Sequence, residues 1–435
     1  MKIFNRVILY LSCLLLSAIA FAANPVALLK VSGPIGPATQ DYIERSLQVA
    51  EKDNAALVIL KLDTPGGLAT SMRGINKAIL TSKVPVATYV SPSGAHAASA
   101  GTFILYASHI AAMAPGTNLG SASPVGLGTP LTDEKSNNKP SAMEKKVMND
   151  AAAYIKSLAD LRNRNAIWAE KAVRQAESLT ASAALKQNVI NFMADSDEDV
   201  IEKSNGKIVK LEDSTTTINT SDVTVKHIKP DLRSEILSVI TSPSIAYILL
   251  LIGILGIFFE FSNPGFVLPG VVGAISLLVA LYALQLLPIS YTGLALLLLG
   301  IIFIITEALI PSFGIIGFGG IIAFGVGSFM LFDGRVPGFS IAISVIITMC
   351  IITVLIVAMV AYLAYGSLRR PVVTGREALY NSEGEVTEIY DNRVIVRVKG
   401  ETWTAKCKTK LNVGDKIKVM KLSKLVLTVK PINKG

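Results

Sequence analysis

At 435 residues the chain has room for two or three domains, and its 51% apolar content exceeds that of an ordinary soluble enzyme. The excess is concentrated: between Ile240 and Tyr365 the only formal charges are Glu260, Glu307, Asp333 and Arg335, which marks an integral membrane region. The net charge of +9 is also uneven, with 15 Lys/Arg against 7 Asp/Glu from Gly366 to Gly435, and the positive-inside rule accounts for such a tail without nucleic acid.

In chain order, Met1 to Ala23 carries Lys2 and Arg6, an apolar run from Val7 to Ile19, and the small-x-small site Ala20-Phe21-Ala22. This predicts a secretory signal peptide over 1–23 and an extracytoplasmic position for the domain after it. Residues 24–230 read as an α/β domain. Val26 to Val31 is a strand, Thr39 to Asp53 an amphipathic helix, and Ala56 to Leu62 a buried strand ending in Asp63-Thr64-Pro65-Gly66-Gly67-Leu68. Ser71 to Ser82 is the next helix and Val84 to Val90 the next strand. The alternation predicts a mostly parallel sheet whose ligands gather at the strand carboxyl ends.

Ser93-Gly94-Ala95-His96-Ala97-Ala98-Ser99-Ala100-Gly101 lies beyond such an end and reads as a tight turn into a helix whose first turn carries Ser99. Small side chains admit a substrate backbone, and a helix N-terminus offers free N–H groups. Close packing of a helix on a sheet requires the same small residues, and on this stretch alone packing is the favoured reading. Ile110 to Ala114 is a short strand, and the polar stretch Val125 to Ala142 reads as a mobile loop. A long helix from Ala142 to Arg162 begins with Lys145-Lys146, and a second helix covers Trp168 to Glu177. Thr180 to Asp195 reads as a capped helix and a short strand, and Lys203 to Val225 as a small β element.

The region 231–370 divides into five candidate spans: Ser244–Phe259, Phe266–Leu287, Gly293–Ile310, Gly314–Phe332 and Ile341–Tyr365. The first is short for a bilayer unless it begins before Pro243, and the Gly-rich fourth is open to a re-entrant reading. Five crossings carry the chain from outside to inside, in agreement with Arg369-Arg370 after the last span. Glu260 and Glu307 read as helix–helix hydrogen-bonding groups, with an ion path as the alternative. Residues 371–435 alternate at period two in five short strands, which predicts a small OB-like barrel. Its aromatic residues are too few and too scattered for base stacking, so the expectation is a protein-contact module without nucleic acid.

A serine nucleophile needs a base. His96, three residues from Ser99, is poorly placed to reach back; His109 lies across the helix that Ser99 begins; His227 adjoins the membrane region. A Ser-His-Asp triad is therefore disfavoured, and a Ser–Lys dyad supplied by Lys145-Lys146 stays open. The base must be neutral, which burial or a neighbouring charge promotes in a lysine. Backbone N–H groups at Gly66-Gly67 and Ala100 are candidate oxyanion donors, although a tight strand-to-helix turn selects glycine as well. Cys13, Cys350 and Cys407 have no metal-ligand spacing, and no nucleotide motif is present, so no metal or cofactor is expected.

Asp63-Thr64-Pro65-Gly66-Gly67, Ala97-Ala98-Ser99-Ala100-Gly101-Thr102, Lys146 eight residues before Tyr154, and Phe259-Glu260-Phe261-Ser262-Asn263-Pro264-Gly265 together resemble the long form of the NfeD family. These are membrane-bound serine proteases with a Clp protease/crotonase-like domain, related to signal peptide peptidase A. The resemblance covers nearly the whole mature chain. It implies a dyad of Ser99 and Lys146, with Lys145 as competitor for the base, and oxyanion donors on Gly67 or Leu68 and on Ala100. It further implies ATP-independent cleavage of apolar segments in stomatin-like (SPFH) membrane proteins. A homo-oligomer is expected, in a bacterial inner membrane, with a periplasmic protease domain and a cytoplasmic C-terminal domain. The rival expectation is a non-catalytic scaffold for stomatin- or flotillin-like partners in membrane microdomains.

Overall fold

The computed structural model describes residues 24–124, 141–262, 265–310, 314–332, 334, 336–368, 379–390 and 393–432. The signal peptide expected at 1–23 and the loop expected from Val125, up to residue 140, lie outside the described residues. Met1–Ala358 and Met359–Gly435 form two compact units, each described by itself.

The α/β region runs β1 (Val26–Ser32), α1 (Pro37–Lys52), β2 (Leu57–Asp63), α2 (Ala69–Leu80), β3 (Val86–Val90), β4 (His96–Ala98), α3 (Ala100–Ala107), β5 (Ile110–Met113) and β6 (Asn118–Gly120). It continues through α4 (Ala142–Leu161), α5 (Ala166–Arg174), β7 (Ser178–Thr180), α6 (Ala181–Lys186), β8 (Phe192–Met193) and α7 (Asp197–Ser204). The hairpin β9 (Ile208–Lys210)–β10 (Thr215–Thr217), β11 (Val225–His227) and α8 (Leu232–Ile240) complete it. Six parallel strands form the main sheet in the order β11-β1-β2-β3-β5-β8.

The strands of this sheet are apolar runs because both faces are covered. Val58, Leu60 and Leu62 enter the core beneath α1, α2 and α3, while Leu57 and Ile59 enter a second core with Ala87, Tyr89 and Phe192. Period-two alternation thus divides one strand between two cores. A smaller sheet, β4-β6-β7, carries the site. It is linked to the end of β2 by a bridge between Thr64 and Ala97.

The main expectations hold, with shifts at the ends. The first helix begins at Pro37 rather than Thr39, since proline fits the first helical turn. Lys203 to Val225 is not one β element. It holds the end of α7 and the β9–β10 hairpin, and at its close β11 returns to pair with β1 through Val26 and Val225. α8, capped by Asp231 accepting from Ser234 N at 3.0 Å, was not expected.

Five apolar helices come next: α9 (Pro243–Ser262), α10 (Leu268–Leu286), α11 (Tyr291–Leu309), α12 (Ile315–Met330) and α13 (Ile343–Leu368). α9 and α10 are long and apolar enough to cross a membrane, with mean hydropathies of 2.3 and 1.9. α9 gains its length by starting at Pro243 and running on to Ser262. The Gly-rich fourth segment is a continuous helix.

α9–α10 and α11–α12 repeat one another at an offset of 47 residues: Gly253 and Gly300, Glu260 and Glu307, Gly270 and Gly317, Gly273 and Gly320. Their packing repeats as well. A Cβ on Gly253 would strike Leu277, and one on Gly300 would strike Phe324, the residue 47 positions later. In both hairpins a glutamate at the end of the first helix accepts backbone N–H groups from the connection or the next helix. Glu260 Oε1 takes Val267 N at 3.2 Å, and Glu307 takes Gly314 N at 2.9 Å and Gly317 N at 3.1 Å. A carboxylate at a helix N-terminus satisfies orphan donors and the dipole together. The hydrogen-bonding reading of this pair is the one the geometry favours.

The second unit holds a closed barrel, β12 (Glu383–Tyr390), β13 (Arg393–Val398), β14 (Glu401–Lys406), β15 (Lys416–Ser423) and β16 (Val426–Pro431), in the order β12-β13-β14-β16-β15. Val386, Val396, Val398, Ile417, Val419 and Leu427 fill it. Closure removes the sheet edges that five short strands would otherwise expose.

Candidate active site

Ser99 stands between β4 and α3 with φ 50° and ψ −114°, a backbone conformation that L-residues adopt only under constraint. The constraint is visible. Ser99 N donates to Gly120 O at 2.9 Å, and Thr102 Oγ1 lies 2.8 Å from Ala97 O and accepts from Gly120 N at 3.0 Å. β6 therefore holds the turn from one side and α3 from the other. Ser99 is the N-cap rather than a first-turn residue, so Ala100 N–H is the first orphan donor of the helix, one residue from the hydroxyl. Such a strand-to-helix turn presents an Oγ next to a backbone donor, the geometry of a nucleophile elbow.

The Asp63–Leu68 turn closes over this serine. Thr64 Oγ1 accepts from Gly66 N at 3.1 Å and shapes the bend. A Cβ on Gly66 would lie 2.7 Å from Ser99 Cβ, and one on Gly67, where φ is +154°, would lie 2.1 Å from Ile35 O. Only glycine fits either place. Ile35 clamps the turn through Ile35 N to Gly66 O at 2.7 Å and Leu68 N to Ile35 O at 2.8 Å. Leu68 N–H, one of the two candidate donors on this turn, is consequently engaged and not free for an oxyanion. In the parallel bridge of Ile35 with Gly67, the N–H of Gly67 itself points away from Ile35. Gly67 is therefore the donor that remains.

The far end of α3 is tied down by two arginines. Arg164 Nη1 donates to Leu105 O at 2.9 Å and Tyr106 O at 3.0 Å, and Arg162 Nε donates to Ala107 O at 2.9 Å. Burial lowers the Arg164 pKa to about 9 and that of Arg162 to about 10, which leaves both charged at neutral pH. Cations on the last carbonyls satisfy orphan acceptors and the negative end of the dipole. Sequence reasoning missed this pair. Its signal, two arginines just beyond a helix, does not say which carbonyls they reach.

α4 runs alongside α3 in the same direction. Arg162, just past its C-terminus, reaches Ala107, and Tyr154 stacks on Phe103 with centroids 5.9 Å apart. Arg73 of α2 fixes the same stretch, lying 4.3 Å from the Tyr154 ring centre and 2.5 Å from Asp150. Lys146, one turn before Asp150, belongs to that side of α4, whereas Lys145 is about 180° round the helix from Tyr154. Asn149, one turn after Lys145, is held by Arg174 of α5. Both lysines are exposed, and among the described residues Ser99 Oγ makes no hydrogen bond to either. The capping box of Ser141 and Glu144 starts α4 at Ala142, three residues before Lys145.

The histidines are committed elsewhere. His109 is buried, its Nδ1 accepts from Val86 N at 3.1 Å, and burial, followed by the charges of Arg162 and Arg164, holds its pKa down at about 3. His96 Nδ1 lies 3.3 Å from Asp63 Oδ1, which also accepts from the His96 backbone N–H at 3.2 Å. His227 sits on β11 in the main sheet.

Three NfeD descriptions match consecutive stretches of the chain. They are "NfeD1b, N-terminal domain" over residues 26–228, "NfeD integral membrane domain" over 244–363, and "NfeD-like C-terminal, partner-binding domain" over 376–431. The chain is 35% identical over 442 residues to "Membrane-bound protease PH1510" of Pyrococcus horikoshii, covering 98% of each protein. It is 30% identical over 286 residues to "Membrane protein NfeD1b" of Bacillus subtilis, covering 65% of this chain and 62% of that one. Among solved structures, a "1510-N membrane-bound stomatin-specific protease", as a serine-to-alanine mutant, is 39% identical with a TM-score of 0.45, covering 48% of this chain and all of that one. A lysine-to-alanine mutant in complex with a substrate peptide has the same identity and TM-score, covering 50% of this chain and 97% of that one. With a full-length match and three NfeD regions in their order, the chain belongs to the NfeD family.

Proposed function

We propose that this protein is a membrane-anchored, ATP-independent serine endopeptidase that uses Ser99 as nucleophile and Lys146 as general base. The observation that carries the reading is the constrained Ser99 turn, with φ 50°, packed against Gly66 and followed by the first N–H of α3. Ser99 Oγ attacks the scissile carbonyl carbon while its proton passes to neutral Lys146. The oxyanion is held by the N–H groups of Ala100 and Gly67. The lysine ammonium then gives its proton to the leaving amine, and a water, deprotonated by the same lysine, releases the acyl group from Ser99. Lys146 is exposed on the free chain, where a substrate segment can be laid across it.

The substrate class rests on two similarities. A relative that matches the full length is called a membrane-bound protease, and the related solved domains are called stomatin-specific. We take the substrates and partners of this chain to be apolar segments of stomatin-like membrane proteins, with the barrel as the partner-binding module that its family description names. Five apolar helices imply a multi-pass protein, with the α/β domain outside and the Arg369-Arg370 end inside.

The test is to incubate the full-length protein, in lipid vesicles, with peptides from apolar segments of a stomatin-like protein. Cleavage with an acyl group trapped on Ser99, detected by mass spectrometry, is expected. Undiminished cleavage by Ser99→Ala would overturn the assignment.

A further inference from the structure

The oxyanion turn is held by the strap Gly33-Pro34-Ile35-Gly36, and that strap is itself held by the membrane region. Phe339, in the connection between α12 and α13, is 4% exposed and presses on the strap. A Cβ on Gly36 would lie 3.0 Å from Phe339 Cζ, and one on Gly338 would lie 2.7 Å from Pro34 Cβ. Leu68, whose N–H the strap holds, is, among the described residues, the one buried residue of the α/β domain in the apolar cluster of Phe332, Val336, Phe339 and Ile341. The connection is braced in turn by Ser290 N to Leu331 O at 2.8 Å, which ties the α10–α11 link to the end of α12. A contiguous path of packed groups therefore runs from two helix connections through Phe339 to Gly36, to Ile35, and to the Gly66–Leu68 backbone.

We infer that Phe339 is a positioning residue for the hydrolytic site: the membrane region, through this ring, sets the distance between the Gly67 N–H and Ser99. The inference rests on the protease reading above. An oxyanion donor is useful only within about 0.5 Å of its place, and the strap holds the Gly66–Leu68 end of the turn through the backbone groups of Ile35, while Gly33 N donates to Asp63 O at 2.9 Å at the other end. Without the ring, the Gly36 end of the strap loses its backing, and the turn relaxes away from Ser99. The ring does not touch Ser99, so the ground-state complex is spared and the loss falls on the transition state.

The experiment compares full-length wild type, Phe339→Ala and Phe339→Leu in lipid vesicles, with an apolar peptide as substrate and its peptide boronate as a tetrahedral ligand. Phe339→Ala is expected to lower kcat about 10- to 100-fold with KM within about threefold. Boronate affinity should fall by a similar factor, and Phe339→Leu should recover most of both. A second route avoids the cavity. Gly36 has φ −136°, which alanine adopts freely, so Gly36→Ala adds only a methyl group against the ring. It should slow turnover several-fold, and adding Phe339→Leu to it should restore the rate. If Ser99→Ala is inactive while Phe339→Ala and Gly36→Ala keep wild-type kcat and boronate affinity, the positioning role is wrong and the protease reading stands. If Ser99→Ala cleaves as wild type does, the protease reading itself fails. A change confined to KM, or one that Phe339→Leu does not rescue, also overturns the inference.

Discussion

α3 is eight residues long, and its two ends are chemically opposite. At the C-terminal end, the half-buried guanidinium group of Arg162 and the buried one of Arg164 close the last carbonyls, and the neutral imidazole of His109 packs beside them. At the N-terminal end the first N–H has no partner in the helix, and the residue before it is held in a strained conformation. A helix whose two ends were both unsatisfied would fray. One saturated end lets the other keep its first N–H outside the helix ladder, which is how a short helix can combine a fixed position with an open backbone donor.

The sharpest way to break this contrast is to exchange what each end is expected to lose. Ser99→Ala should abolish turnover, by about 10³-fold or more, with thermal unfolding of the α/β domain essentially unchanged. Calorimetry beside a cleavage assay checks both halves. Lys146→Ala should come second with a loss of about 10²-fold or more, again without a change in stability. Arg164→Met acts at the other end and in the other quantity. It strands two helix carbonyls, Leu105 O and Tyr106 O, and should cost roughly 3 kcal/mol, read as faster hydrogen exchange across α3.

Acid provides a smaller effect at the same end. The folded pKa of His109 lies below its unfolded value of 6.5, so the unfolded chain takes up a proton first as pH falls. Stability is lost below about pH 6.5 and down to about pH 3; roughly 2 kcal/mol of that loss falls between pH 7 and pH 5. His109→Asn keeps an acceptor for Val86 N and should flatten that part of the pH profile. The smallest effect belongs to Lys145→Ala, which should leave kcat within about twofold. A loss as large as that of Lys146→Ala would move the base to Lys145, on the side of α4 facing away from Tyr154.

Much of this architecture was legible in the chain, because its strongest signals are local. Continuous apolar runs gave the parallel strands and the five apolar helices, and period-two alternation with Gly384, Gly400 and Gly414 gave the barrel. Asp63 to Leu68 and Ala97 to Thr102 were recognisable as two turns that meet at the candidate site. The unread parts depend on residues far apart in sequence. β11 pairs with β1 across nearly the whole domain, Ile35 takes Leu68 N–H out of the donor set, and Phe339 meets Gly36 from the far side of the membrane region. None of these leaves a periodic trace. An exposed-looking Gly-Pro-Ile-Gly strap gives no hint that both its faces are used.

The 47-residue duplication of α9–α10 in α11–α12 also has a bearing on parity. A hairpin that enters a bilayer and leaves it returns the chain to the side it came from, so two hairpins return it twice. Once these helices span a membrane, inserting or deleting one whole repeat changes the size of the bundle without changing where anything downstream emerges. With all five helices across a membrane, α13 would be the odd crossing, and that single helix would set the side on which the chain emerges before the barrel.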